Sequence, residues 1–302
     1  MKYHVPVLLN ESVNGLSIKP EGTYIDLTFG GGGHSKLILE KLNLNGKLFS
    51  FDTDDTAIKE NSIANNNFHL IKSNFKFFDL HIKERGVSKV DGILADLGVS
   101  SHQIDNKKRG FSYMGDHKLD MRMSVQNEIS AEQILNNYDE ESLQNILYKY
   151  GDIKNSKIIA KEIVTYRNKK KIISNYDLLD AIRNISEKKL SYKFLSKLYQ
   201  AIRIEVNDEI NSLKEILKKS VEFLNSSGRL VVISYHSIED RLVKNFINKS
   251  SFDSDFKKDL YGKKIEFFKR INKKPIVPSE EEKKNNSRSR SAKLRIGERL
   301  WV

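Results

Sequence analysis

No cysteine occurs anywhere in the 302 residues. That absence excludes disulfides, thiolate zinc sites, iron–sulfur clusters and a cysteine nucleophile. Long apolar runs are missing as well: none approaches the ~20 residues that would span a bilayer, and the mean hydropathy is −0.53. The N-terminal stretch Met1-Lys-Tyr-His-Val-Pro-Val-Leu-Leu-Asn10 has no signal-peptide core or cleavage site. A cytoplasmic protein without membrane association is the expectation. Acids are the scarcer charge, 40 against 52 Lys and Arg, for a net +12. Such an excess favours polyanions such as RNA through counterion release. A general drift toward Lys, Asn and Ile would explain the total equally well, so local basic clusters are the more informative signal.

What the chain does have is Tyr24-Ile-Asp-Leu-Thr-Phe-Gly-Gly-Gly-Gly-His-Ser35, followed by Gly46-Lys-Leu-Phe-Ser-Phe-Asp52. This reads as a strand, a four-glycine turn, a helix, and a second strand ending on a carboxylate. Glycines permit a sharp turn and close approach of a ligand to the main chain. Asp52 stands 22 residues beyond Gly30, the spacing at which an acid accepts hydrogen bonds from ribose hydroxyls. Ser35 fills the slot where a dinucleotide fingerprint wants its third glycine, which disfavours NAD. The acid Asp26 ahead of the glycines suits S-adenosylmethionine, whose amino-acid moiety carries an ammonium. A purely structural turn is the competing reading.

Strand signals at Thr23–Phe29, Lys47–Asp52, Phe68–Ser73 and Val90–Leu97 alternate with helical stretches near Ser35–Leu42, Asp54–Asn65 and Phe75–Arg85. That alternation predicts an α/β fold with a parallel sheet covered on both faces. Between Lys107 and Asn207 only helix-period segments occur, one of them opened by a Ser130/Gln133 capping box. Strand character returns at 228–234, with further candidates at Lys264–Phe268 and Ala292–Leu300. We therefore expect a core from 1–106 and 208–302, an inserted helical domain at 107–207, and a mobile basic loop at 278–291.

Asp96 closes the fourth strand, at the edge where open α/β sheets bind ligands. It can touch a cofactor and face an acceptor, or merely cap a turn. Ser234 and His236 follow the later strand toward the same edge, although Ser237 with Asp240 would also serve as a helix N-cap. Arg109, Phe111 and Arg122 lie in an aromatic, Met- and Arg-containing loop that could stack a base and hold phosphates, or pack beneath the insert. Arg203 and Asn207 fall one helical turn apart, and Arg288 and Arg290 lie in the polar tail. The histidines lack metal-ligand spacing, and no metal is expected.

These blocks resemble one family, the bacterial 16S ribosomal RNA cytosine-N4 methyltransferases (MraW, or RsmH). The resemblance is carried by His4–Ser12, Asp26–Ser35, Asp91–Ser101, Arg109–Met114, Leu119–Met123, Ser234–Arg241 and Arg288–Arg295. It implies a class I methyltransferase (Rossmann-like) fold, mostly parallel, with an inserted all-helical substrate-recognition domain. It also implies S-adenosylmethionine as cofactor and methylation of one decoding-centre cytidine of 16S ribosomal RNA in the small subunit. Carried over, cofactor contacts fall on Gly32, Gly33, His34, Asp52, Phe75, Asp96 and Gln103. Catalytic candidates are Asp96, Ser234 and His236; RNA candidates are Arg109, Phe111, Arg122, Arg203, Asn207, Arg288 and Arg290. A homodimer is left open. His102, where the family usually has proline, and Gly151-Asp-Ile-Lys depart from the family pattern.

Overall fold

The computed structural model describes residues 6–61, 63–124, 126–183, 191–253 and 255–301. The chain divides into two compact units: Met1–Gly98 with Asn211–Val302, and Val99–Ile210. The first unit opens with α1 (Leu9–Gly15). It then alternates β1 (Thr23–Asp26), α2 (Gly33–Leu39), β2 (Lys47–Asp52), α3 (Asp55–Glu60), β3 (Phe68–Lys72), α4 (Phe78–Glu84) and β4 (Val90–Asp96). Helices of the second unit are α5 (Ser101–Asp105), α6 (Ala131–Asn137), α7 (Glu140–Gly151), α8 (Ser156–Arg167), α9 (Asn175–Ala181) and α10 (Tyr192–Asn207). After α11 (Glu209–Phe223) come β5 (Leu224–Ser234), α12 (Ser237–Lys249), β6 (Phe268–Arg270), α13 (Glu280–Asn285) and β7 (Lys293–Arg299).

The seven strands form one sheet in the order β3-β2-β1-β4-β5-β7-β6. Strands β1 to β5 pair in parallel, while β7 runs antiparallel to both β5 and β6. β1 and β4 are buried along nearly their whole length, because helices cover both faces of a parallel sheet and leave no face for polar alternation. From β1 the chain winds outward through β2 and β3, then returns to β4 on the other side. The order reverses between β1 and β4, the position at which open α/β sheets bind their ligands.

The second unit has its own core. Leu143, Ile146 and Leu147 of α7, Ile159, Ala160 and Ile163 of α8, and Leu198, Ala201 and Ile202 of α10 are buried together. Their three- and four-residue spacings put each set on one helix face. Ser130 and Gln133 do form a capping box at the start of α6.

Several local expectations shift. The tail at 278–291 is not a loop: Ser279 accepts the Glu282 N–H at 3.0 Å and starts α13, which a short 3-10 turn follows. The Glu282 carboxylate in turn accepts the Leu8 N–H at 2.9 Å, tying tail to N-terminus. The strand expected at Lys264–Phe268 begins only at Phe268, because Lys258 to Lys264 form a hairpin with a single bridge. The cap of α12 is His236 with Glu239, one residue before the expected Ser237/Asp240 pair. α3 stops at Glu60 rather than running to Asn65, since the asparagine run that follows favours turns over helix. The last residues of the helix expected at Tyr176–Ile185, and His4 of the first resembling block, lie outside the described residues.

One buried polar network pins the first unit. Asp26 is fully buried; it accepts Ser35 Oγ–H at 2.7 Å and the Thr28 N–H at 3.1 Å, and Ser35 Oγ meets Ser50 Oγ at 2.8 Å. Removing one partner leaves the others buried and unpaired, which costs more than the bond itself contributes. Asp26→Ala should therefore lose about 3 kcal/mol in urea unfolding and Ser35→Ala about 1 to 2 kcal/mol. The double variant should fall short of the sum; additive losses would show that the two groups do not act as a unit.

Candidate active site

The loop after β1 turns through Gly30 and Gly32, both with left-handed φ of 52° and 73°. A Cβ on Gly31 would meet nothing within 4 Å, whereas one on Gly33 would strike Pro6 at 2.2 Å. One side of the loop is thus packed and the other open, the shape that lets a ligand lie against bare backbone. Asp52 closes β2, and its carboxylate accepts the Gly30 N–H and the Asp54 N–H, both at 2.8 Å. It fixes the loop. Burial raises its pKa, with those N–H bonds opposing the rise. Phe75 is half-buried in a 3-10 turn after β3, capped by Asn74.

Asp96 ends β4 beside this loop. Its N–H donates to Thr28 Oγ1 at 2.7 Å, and its Oδ1 accepts the Tyr235 hydroxyl at 2.8 Å. Burial pushes its pKa to about 6; His34 and the Tyr235 bond hold it down, while Asp26 and Glu239 push it up. Some of the side chain remains exposed, so water at that edge limits the desolvation. His34 begins α2 and is buried, and its Nε2 has no hydrogen-bond partner. Such an orphan in a polar crevice is a group that a ligand can satisfy. Tyr235 was not singled out among the candidates; the motif Ser234-Tyr-His was its only signal. Its phenol is pushed well up by burial and by Asp96, so it stays a hydrogen-bond donor.

Ser234 ends β5 and His236 caps α12, and each bonds within the fold. Ser234 is buried and donates to the Lys293 carbonyl of β7 at 3.3 Å, so its hydroxyl serves the sheet. His236 Nδ1 accepts the Glu239 N–H at 3.4 Å, and its Nε2 lies 3.1 Å from the Glu239 carboxylate. Glu239 also accepts the Tyr235 N–H at 2.9 Å. His236 and Glu239 therefore hold the turn that presents Tyr235. Asp240 joins α12 to β7 by pairing with Arg295 at 2.7 Å.

In the second unit Gln103 forms a reciprocal cap with Ser100 and is buried. The RNA candidates of this unit form an internal network. Arg109 donates to the Arg122 and Met123 carbonyls at 2.9 and 3.0 Å. Arg122 grips Asp120 with two bonds of 2.9 Å, and Arg203 grips Glu209 at 2.8 and 2.9 Å. Asn207 accepts the Met123 N–H and donates to the Met121 and Arg203 carbonyls. Phe111 packs on the helical core. These groups brace the 109–127 loop from within the fold. In the first unit, Arg290 is exposed and Arg288 partly so.

A carboxyl whose folded pKa exceeds its unfolded value holds its proton more tightly in the fold. Asp96 thus supports the fold below about pH 4 and withdraws that support as pH climbs through about 6. Asp96→Asn, uncharged throughout, should melt higher than the parent by an amount that grows toward neutral pH and reaches about 1 to 2 kcal/mol. A melting difference that stays flat from about pH 4 to about pH 8 would show that Asp96 is not desolvated.

The model of the MraW methylase family matches residues 1–300. A relative in Flavobacterium johnsoniae, named ribosomal RNA small subunit methyltransferase H, is 49% identical over 300 residues, covering 99% of each chain. Relatives with the same name in Karelsulcia muelleri and Cytophaga hutchinsonii are 49% and 48% identical over 298 residues of each. End-to-end matches of this strength, on an α/β sheet with its acids gathered at the reversal of strand order, make the chain a member of the MraW methylase family and a methyltransferase of Rossmann-like fold.

Proposed function

We propose that this chain methylates the exocyclic N4 amine of a decoding-centre cytidine in 16S ribosomal RNA of the small subunit, with S-adenosylmethionine as methyl donor. The observation that carries the proposal is the grouping of side chains and bare backbone at the carboxyl ends of β1, β2 and β4. There an open glycine turn, an orphaned His34 nitrogen and a desolvated Asp96 come together. The names of the relatives supply the RNA class.

The residues fit such a cofactor. Gly30 and Gly31 offer bare backbone, Asp52 keeps carboxylate lone pairs for ribose hydroxyls beyond its bonds to the Gly30 and Asp54 N–H groups, and Phe75 offers a half-buried ring. When bound, the cofactor supplies an electrophilic methyl group. The family's Gln103 contact belongs to this proposal as well.

An exocyclic amine is a poor nucleophile because its lone pair is delocalised into the ring. It must be oriented, and it sheds one proton over the reaction. Asp96 can do both as a carboxylate: it accepts an N–H from the amine and takes the surplus proton. A pKa near 6 leaves it ionised at neutral pH yet basic enough to serve. Tyr235 fixes Oδ1 and hence the plane of the carboxylate. His236 acts as a positioning residue for Tyr235. Cytosine C5 methylation normally uses a cysteine, and none exists here. The inserted unit is assigned substrate recognition, with Arg288 and Arg290 contacting the RNA backbone.

The test uses labelled S-adenosylmethionine and small subunits from cells lacking this enzyme, followed by nucleoside mass spectrometry. Label should enter N4-methylcytidine. Asp96→Asn should lower turnover by about 10²-fold or more, as expected when a general base is lost. Label in another nucleoside, or none with cofactor binding intact, would move the substrate elsewhere, and full turnover by Asp96→Asn would end the role given to that residue.

A further inference from the structure

Between α12 and β6 the chain projects a hairpin, Lys257-Lys-Asp-Leu-Tyr-Gly-Lys-Lys264, that the residues considered so far leave without a task. Lys258 bridges Lys264 in antiparallel pairing, and Asp259 N–H donates to the Lys263 carbonyl at 2.9 Å. Asp259 turns its carboxylate inward, accepting the Tyr261 and Lys263 N–H groups, each at 2.9 Å. Gly262, at φ 79°, completes the reversal. The base is tied down as well: the Ile265 N–H donates to the Lys257 carbonyl at 2.9 Å and the Phe267 N–H to Ser250 Oγ at 2.8 Å. Lys257 Nζ lies 4.8 Å from the Phe267 ring and Lys264 Nζ 4.2 Å from the Phe256 ring.

This well-tied turn presents its apolar groups to solvent. Leu260 is 100% exposed and Tyr261 95% exposed. Single exposed apolar residues are ordinary, but here two adjacent ones crown an ordered turn flanked by Lys257, Lys258, Lys263 and Lys264, all exposed. Lys258 and Lys264 face each other across the bridge, a like-charge pairing that destabilises a hairpin unless an anion lies against it. The only acid of the segment is spent on the backbone. An aromatic ring held out between ammonium groups is the arrangement that stacks an unpaired base while lysines track its phosphates.

We infer that the 257–264 hairpin is a contact for single-stranded RNA, with Tyr261 stacking on an unpaired base and the four lysines on the adjoining phosphates. This rests on the ribosomal RNA reading above and adds a second contact, apart from the methyl-transfer crevice. A polyanion without bases would satisfy the lysines but leave Leu260 and Tyr261 in water, which is why RNA is favoured over an anionic surface.

The test compares the full-length parent with a tip variant, Leu260→Ser with Tyr261→Ser, and a charge variant, Lys258→Gln with Lys263→Gln. Affinity is measured against unmodified 16S ribosomal RNA and assembled small subunits over a salt series. Thermal melting serves as the folding control, since all four substituted side chains are exposed. The tip variant should bind naked RNA at least about fivefold more weakly, the lower end of what one lost base stack costs. The charge variant should lower the salt slope by more than about 1. Parental affinity and slope in both variants, with the parent binding RNA, would overturn the hairpin contact alone. Failure of the parent to bind RNA at all would overturn the ribosomal RNA reading, and the hairpin with it. Loss on assembled subunits but not on naked RNA would reassign the hairpin to a ribosomal protein.

Discussion

Everything at the candidate site hangs on the buried carboxylate of Asp26. Through Ser35 it ties β1 to α2, and through Ser50 to β2. Through Thr28, whose N–H it accepts and whose hydroxyl accepts the Asp96 N–H, it ties β1 to the end of β4. Three strand ends and one helix start are thereby held by one chain of hydrogen bonds that water does not reach at Asp26, Ser35 or Ser50. A fully satisfied buried network of this kind rigidifies its surroundings, and in low dielectric each of its bonds counts for more than it would at the surface. The glycine turn can be open on one side because it is fixed so firmly on the other.

That arrangement changes what the acids of the sequence mean. Asp26, Asp52 and Asp96 look alike in the chain, each closing a strand of the same sheet. Only Asp26 is fully enclosed, and it faces Ser35 rather than a ligand. The Asp52 carboxylate accepts the Gly30 and Asp54 N–H groups, and the Asp96 carboxylate accepts the Tyr235 hydroxyl. The three acids thus differ in enclosure and in what they hold, which no local motif encodes.

How much was legible follows from the range of each interaction. The sheet could be read because apolar runs broken by glycine and helical stretches are local signals. The position of Asp52 and Asp96 could be read because strand ends in such sheets share one edge. The arginines could not. Whether Arg122 or Arg203 meets phosphate or protein depends on Asp120 and Glu209, and on a loop closed by Asn207 from 84 to 86 residues away. The partner of Ser234 was unreadable for a related reason: its carbonyl on β7 lies 59 residues further on. Tyr235 was overlooked because its partner Asp96 is 139 residues distant. The tail helix depended on an acid–amide bond between Glu282 and Leu8 at opposite ends of the chain.

The same reasoning sorts the positive charge. A net +12 says little about where a polyanion sits, since Arg109, Arg122, Arg203 and Arg295 are all engaged within the protein. Arginine's planar fork suits it to such fixed pairing, whereas lysine's hydrated point charge stays in water. In this chain the division is visible: the forks brace loops and strands, and the hairpin lysines remain exposed. The desolvated Asp96 belongs to neither class, because its ionised form weighs against the fold.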